Sequence, residues 1–248
     1  MSRSYWYAIA VAIASLAGTS QLHAQAEWGC DVEALFLKVG TNVGTRAANA
    51  ANFDPGLRFA FSRIAEDGLG VRITYFEYDH TIVDPGLRSL TFDTYNVDFE
   101  ILQELSLTDR VNVEMSAGLR YNDTQFSFPS RFEPSDFSGV GGIVGIRGSA
   151  KIFENGEFYA RTKFALMIGD GGHDSNASPL PKAYNTGRGM TEIAFGYQHT
   201  FEVGRYQIVP RIGAEWQMWH GIIPDIVDEH PETNLLLGGF TTGLGINF

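Results

Sequence analysis

Apolar residues recur at every second position along most of this chain. The clearest case is Val111 to Tyr121, where Val111, Val113, Met115, Ala117, Leu119 and Tyr121 alternate with Asn112, Glu114, Ser116, Gly118 and Arg120. A pleated strand sends successive side chains to opposite faces, whereas a helical period would mix the two sets on every turn. The same test predicts ten strands: 28–39, 56–64, 69–78, 92–103, 111–121, 140–153, 158–168, 190–201, 205–218 and 235–248. Most are longer than the five or six residues usual in soluble sheets and match the roughly 9 to 11 tilted residues that cross a bilayer.

The connections alternate in length. Tight turns are predicted at Ala65–Gly68, Leu107–Arg110, Glu154–Gly156 and Glu202–Gly204, with long polar loops at 40–55, 79–91, 122–138, 169–189 and 219–234. Outer-membrane barrels have this rhythm of brief periplasmic turns and extended external loops, and an even strand number puts both termini at the short-turn end. The fold class is therefore all-β, a transmembrane antiparallel up-and-down β-barrel of about ten strands. Parity of the apolar residues flanking Glu154–Gly156 calls for a three-residue loop with Gly156 left-handed in a bulge.

In such a barrel the apolar face meets lipid and the polar face lines the lumen. Aromatics near strand ends form two candidate interfacial girdles. Tyr121, Trp216 and Trp219 lie towards the long loops, and Phe158, Tyr206 and Phe248 towards the short turns. The lumen face collects Arg58, Arg72, Arg120, Arg147, Lys151, Arg161, Lys163 and Arg211 against Asp31, Glu33, Asp98, Glu100, Glu114, Glu192 and Glu215. Charges this near to balance can pair across strands, which buried charge requires. The parity argument brings Arg147 near Lys163, a like-charge contact to be relieved by Glu114 or Glu192. These residues either line a pore or brace a narrow barrel. Ten strands leave an interior between those of side-chain-filled eight-stranded barrels and aqueous porins.

Export accounts for the N-terminus. Arg3, the apolar run Tyr5–Ala17 and Ala24-Gln25-Ala26 read as a cleavable signal peptide over 1–26, leaving 27–248 as the barrel. A formal charge of −11 disfavours nucleic acid, and the single cysteine, Cys30, excludes an internal disulfide and a thiolate zinc cluster. The expected location is the bacterial outer membrane. The expected partners are its lipid and small polar solutes or ions, with a homo-oligomer left open.

Several stretches together resemble the Legionella major-outer-membrane-protein-like family of pore-forming outer-membrane proteins, also widespread in planctomycetes. They are Leu69–Asp79, Tyr95–Glu100, Met115–Tyr121, Phe137–Ser149, Phe158–Gly169, Ile212–Trp216 and Thr242–Phe248. These are strand patterns without a catalytic signature. The resemblance implies an outer-membrane barrel that forms a pore and carries no cofactor.

The leading expectation is a small passive, porin-like pore whose selectivity comes from lumen charge and loops such as Asp225–Glu229. The alternative is a non-conducting structural or adhesin-like barrel acting through its external loops. An enzymatic reading rests on His173 and Ser175, which resemble the H-x-S-N-A stretch of outer-membrane lipid A deacylases. Their Gly-rich, Pro-flanked loop gives no assured shared face, so coincidence is the better account and no catalytic residue is expected. Asp170, Asp174 and Asn176 lack the spacing and closing Glu of a calcium loop, so no metal site is expected either.

Overall fold

The computed structural model describes residues 27–41, 52–84, 87–128, 132–173, 182–223 and 233–248. The segment 1–26 expected as a signal peptide, Ser175 and the acidic stretch 225–229 lie outside these residues. The strands are β1 (Glu27–Thr41), β2 (Asp54–Ile64), β3 (Leu69–Asp84), β4 (Leu87–Thr108), β5 (Val111–Phe128), β6 (Phe132–Lys151), β7 (Gly156–His173), β8 (Lys182–His199), β9 (Phe201–Val203), β10 (Tyr206–Ile223) and β11 (Thr233–Asn247). Every pairing is antiparallel, and β11 bonds to both β10 and β1, which closes the sheet. The short β9 only extends the hairpin between β8 and β10, so the wall is a barrel of ten strands. Trp28 and Phe248 exchange both backbone hydrogen bonds, at 3.1 and 3.0 Å, and tie the two ends of the chain together.

Local chemistry sets the short turns. Gly68 has φ of 80°, a conformation costly for a side chain, and its N–H donates to the Ala65 carbonyl at 2.9 Å. Asp67 Oδ1 accepts from the Leu69 N–H. Between β4 and β5, Thr108 Oγ1 accepts from the N–H groups of Arg110 and Val111. The turn between β6 and β7 departs from expectation. Lys151 pairs with Glu157 and Ile152 begins the turn, so the loop is longer than three residues. Even-sum parity holds, but the register is displaced by two. Gly156 does not have positive φ. A Cβ there would meet the Tyr197 hydroxyl on the neighbouring strand β8, and that hydroxyl would have to shift.

The long-loop end departs more. Pairing continues to Asp84↔Leu87, Phe128↔Phe132, His173↔Lys182 and Ile223↔Thr233, so most of the segments expected as loops there are strand. At roughly 3.3 Å per residue, β4 alone extends far beyond what a membrane crossing needs.

Outward residues show where the membrane belt stops. On β4 the lipid-facing series Ile101, Phe99, Val97 gives way to Tyr95 and then Asp93; on β3 Val71 and Ile73 give way to Tyr75, Glu77 and Asp79. Further acids, Asp123, Asp136 and Asp170, sit on the same outer wall above the belt. The inner face changes in the opposite sense at the same height. Along β3 the inward residues run Arg72, Thr74, Phe76, Tyr78, and along β1 they run Asp31, Glu33, Leu35, Leu37, Val39. Below the boundary the barrel is apolar outside and charged inside. Above it, the barrel is polar outside and holds inside a large apolar cluster beside a smaller buried polar one, Thr94, Asn96, Asn122 and Thr124, which hydrogen-bond one another. Trp219, expected in a girdle, belongs to this interior core at 2% exposure, because odd positions of β10 point inward. Trp216 keeps the outward place.

Candidate functional site: the filled lumen

Three layers occupy the interior. The middle one, at the height of the lipid belt, holds seven cations and seven carboxylates: Arg58, Arg72, Arg120, Arg147, Arg161, Lys163 and Arg211 with Asp31, Glu33, Asp98, Glu100, Glu114, Glu192 and Glu215. Alternation along each strand puts them all on one face. Arg58 Nη1 donates to Glu33 Oε2 and Glu215 Oε2, both at 2.8 Å, and Nη2 to Glu215 Oε1 at 2.5 Å. Arg120 makes a two-pronged contact with Asp98 at 2.6 and 2.7 Å and reaches Glu192 Oε1 at 2.7 Å. Lys163 Nζ donates to Glu100 Oε2 at 2.6 Å, and Ser116 Oγ donates to the other oxygen. Arg72 holds Glu114 by both oxygens, Arg161 donates to Glu215, and Arg211 lies 2.6 Å from Asp31.

Several of these pairs skip strands: Arg58–Glu215 joins β2 to β10, Arg120–Glu192 joins β5 to β8, and Lys163–Glu100 joins β7 to β4. Such bonds cross the lumen. Glu100 and Glu215 are fully buried, and Asp98, Arg120 and Glu192 nearly so. Charges this deep are held only because each finds partners, often in charge-assisted, bidentate geometry. Among these side chains only about 40 Å³ is open to water, room for a few molecules.

Above lies the apolar layer: Leu35, Leu37, Val39, Phe76, Tyr78, Phe92, Phe137, Ile143, Ala165, Met167, Met190, Trp219, Leu235 and Leu237 form one buried cluster. Phe92 meets Trp219 edge-on at 6.1 Å, and the Tyr78 hydroxyl donates to the Leu37 carbonyl. The layers interlock where Arg120 Nη1 reaches Met190 Sδ at 2.9 Å and Arg58 stacks over Phe76. Below the charges, a vestibule of about 460 Å³ is lined by residues of the short turns, among them Glu154, Asn155 and Glu202.

The thirteen residues expected to line a pore lie on the inner face of the wall. Arg58, Arg72, Asp98, Glu100, Glu114, Arg120, Arg147, Arg161, Lys163, Glu192, Arg211 and Glu215 make the middle layer, whereas Lys151 sits lower, on the vestibule wall. The expected contact of Arg147 with Lys163 is corrected. The shifted register places Arg147 opposite Arg161 and Lys163 opposite Gly145. The adjacent carboxylates expected to relieve that contact form their direct ion pairs with other cations. Glu114 faces Arg147 in the register but binds Arg72, and Glu192 faces Lys163 but binds Arg120. Arg147 instead donates to Gln198 Oε1 at 2.7 Å and stacks over the Tyr159 ring, and no ion pair reaches it among the described residues. Gln198, Tyr159, Ser116 and Gln217, which bonds Glu215, escaped the sequence reading. Their inward parity was visible, but neutral side chains carried no signal of pairing. His173 ends β7, where its backbone pairs with Lys182. Asp170 lies on the outer wall, and Asp174 and Asn176 are outside the described residues.

No protein-family model matches the chain, and no curated protein matches it. Among solved structures it is similar to the outer-membrane protease OmpT of Escherichia coli, at 10% identity, with 93% of this chain and 99% of that one covered and a TM-score of 0.54. The translocator domain of the autotransporter NalP from Neisseria meningitidis aligns at 10% identity over 99% and 95% of the two chains, with a TM-score of 0.47. The attachment protein Ail of Yersinia pestis aligns at 9% identity over 90% and 99%, with a TM-score of 0.40. At such identities the likeness is one of architecture: this chain has the closed antiparallel β-barrel fold of bacterial outer-membrane proteins.

Proposed function

We propose that this protein is an outer-membrane barrel that keeps its lumen shut and works through the part standing above the membrane. The observation that carries this reading is the filling of the lumen in two consecutive layers. Ion pairs tie β2 to β10 and β5 to β8 across the bore, and a continuous apolar cluster lies directly above them. An ion crossing the barrel would have to part buried, paired charges and then pass a layer filled for the most part by an apolar cluster. Each alone is a steep barrier in a medium of low dielectric. Paired strands rising beyond the lipid belt, with a packed interior, make a rigid platform of the kind a surface-acting barrel needs.

The passive pore implied by the family resemblance is the competing reading and would require both layers to separate. Planar-bilayer recording of the refolded mature protein distinguishes the two. We expect a silent membrane from protein whose barrel is folded by its resistance to unfolding in cold detergent. Discrete, reproducible current steps from that wild-type protein would overturn the closed-barrel reading and favour the pore.

A further inference from the structure

The vestibule at the short-turn end is a cup with charge graded by depth. Its roof is shared with the ion-pair layer through Asp31, Arg72, Arg147 and Arg211. Arg72 is committed to Glu114 and Arg211 to Asp31. Arg147 is committed to no carboxylate among the described residues, and of its guanidinium only Nη2 is taken, by the neutral Gln198 amide. The Tyr159 ring beneath it, 5.3 Å from the guanidinium carbon, fixes its plane. At the mouth the sign reverses. Glu27, Glu154, Glu157 and Glu202 line it there, with Lys151 the one basic side chain beside them among the described residues that line the cup. Glu104 lies deeper, opposite Glu114, which Arg72 holds and which stands opposite Arg147 in the strand register. Glu157 is the one mouth acid tied to the roof, through Gln198 Nε2, which donates to it.

We infer that this vestibule binds the free carboxyl end of a short basic peptide, with its carboxylate against Arg147 and its ammonium groups among the mouth glutamates. A guanidinium presents parallel N–H donors matched to a planar carboxylate, and here one edge remains open towards the cup. A phosphate or other simple anion would have to pass the acidic mouth uncompensated. A cationic amine with no carboxylate would leave Arg147 unanswered at the roof. Only a ligand carrying both charges, separated along its length, meets both ends of the gradient. The volume of about 460 Å³ suits a di- or tripeptide, and the short-turn end opens to the periplasm in barrels of this type.

The test is calorimetric titration of the refolded mature barrel in detergent at low salt with the dipeptide lysyl-alanine. Its C-terminal amide and its Nε-acetyl form are titrated in parallel. Saturable binding of the free dipeptide is expected, weakened about tenfold or more by amidation and by Arg147→Gln. A smaller loss is expected from Nε-acetylation and from Glu154→Gln, together with a decline as salt is raised. Equal binding of the amide and the free acid by the wild-type protein would overturn the proposal, and so would the absence of saturable heat at millimolar peptide. The amide comparison needs no variant, so it decides the matter even if Arg147→Gln fails to refold.

Discussion

The lower and upper halves of this barrel solve opposite problems with the same ten strands. In the lower half lipid surrounds the wall, so Val97, Phe99 and Ile101 face out and Asp98 and Glu100 face in. In the upper half water surrounds it, so Asp79 and Asp93 face out, while Phe76, Tyr78 and Phe92 pack inside. The backbone ladder runs through the boundary without a break: on β3 and β4, Ile73↔Phe99 lies below and Asp79↔Asp93 above in one continuous register. The solvent outside each stretch of strand dictates the polarity of both faces. The wall must match its surroundings, and the interior takes whatever remains and must still be filled. Below, filling is by paired charges; above, it is by an apolar cluster with a smaller hydrogen-bonded polar cluster beside it on β4 and β5.

The largest expected effect comes from breaking the charged filling. Glu215 is fully buried and accepts from Arg58, Arg161 and Gln217. Glu215→Ala would leave two guanidinium groups short of a partner in the middle of the lumen, at a cost of about 3–5 kcal/mol. Urea unfolding in lipid vesicles measures it, beside Leu37→Ala in the apolar layer, for which about 2–4 kcal/mol is expected from transfer and cavity terms. A loss below about 1 kcal/mol for Glu215→Ala would mean that the cross-lumen pairs are solvated and hold little, and the lower half would then resemble a wet channel.

The polarity reversal also explains what the sequence displayed and what it concealed. Val111–Tyr121 is clean because its alternation lies within the lipid belt. On β3 the apolar parity switches from odd at Val71 and Ile73 to even at Phe76 and Tyr78, and a switch of that kind looks like a strand end. Residues 79–84, 87–91, 122–128 and 132–138 therefore read as loop although they continue the ladder. Which residues face the lumen was legible, because parity alone decides it. Partners were not, because register supplies only the residue on the adjacent strand. Long side chains such as those of Arg58, Arg120 and Lys163 reach past that neighbour to carboxylates across the bore. Among the described charged pairs, Glu33 with Arg58 and Asp98 with Arg120 are paired both in register and by side chains.

A smaller effect tests the boundary itself. Ile101 and Asp93 share the outer face of β4, one within the belt and one above it. Ile101→Arg is expected to destabilise the barrel in vesicles by about 2–4 kcal/mol, the range for a cation held near the bilayer midplane. Asp93→Arg should lie within about 0.5 kcal/mol of the wild type, since it replaces a like-charge pairing with Asp79 by an opposite-charge one in water. Equal costs at the two sites would place the belt higher than the tyrosines and remove the basis for dividing the barrel there.

The finest distinction concerns aromatic pairs on either side of the wall. Tyr95 and Tyr121 touch on the outside at the boundary, with ring centroids 5.9 Å apart, while Tyr78 and Phe92 touch inside at 6.2 Å. Geometry alone assigns both pairs a coupling of about 0.5–1.5 kcal/mol, measurable by double-mutant cycles. Their surroundings differ. The outer pair lies where headgroups meet the wall, so its coupling should change when the vesicle lipids are replaced by longer-chained ones that raise the interface past Tyr95. The inner pair is sealed from lipid by the wall and should keep its value in both. If the two couplings shifted together, the upper interior would be sensing the bilayer through the wall, and its apolar filling would be a deformable part of the membrane-spanning unit rather than an independent core.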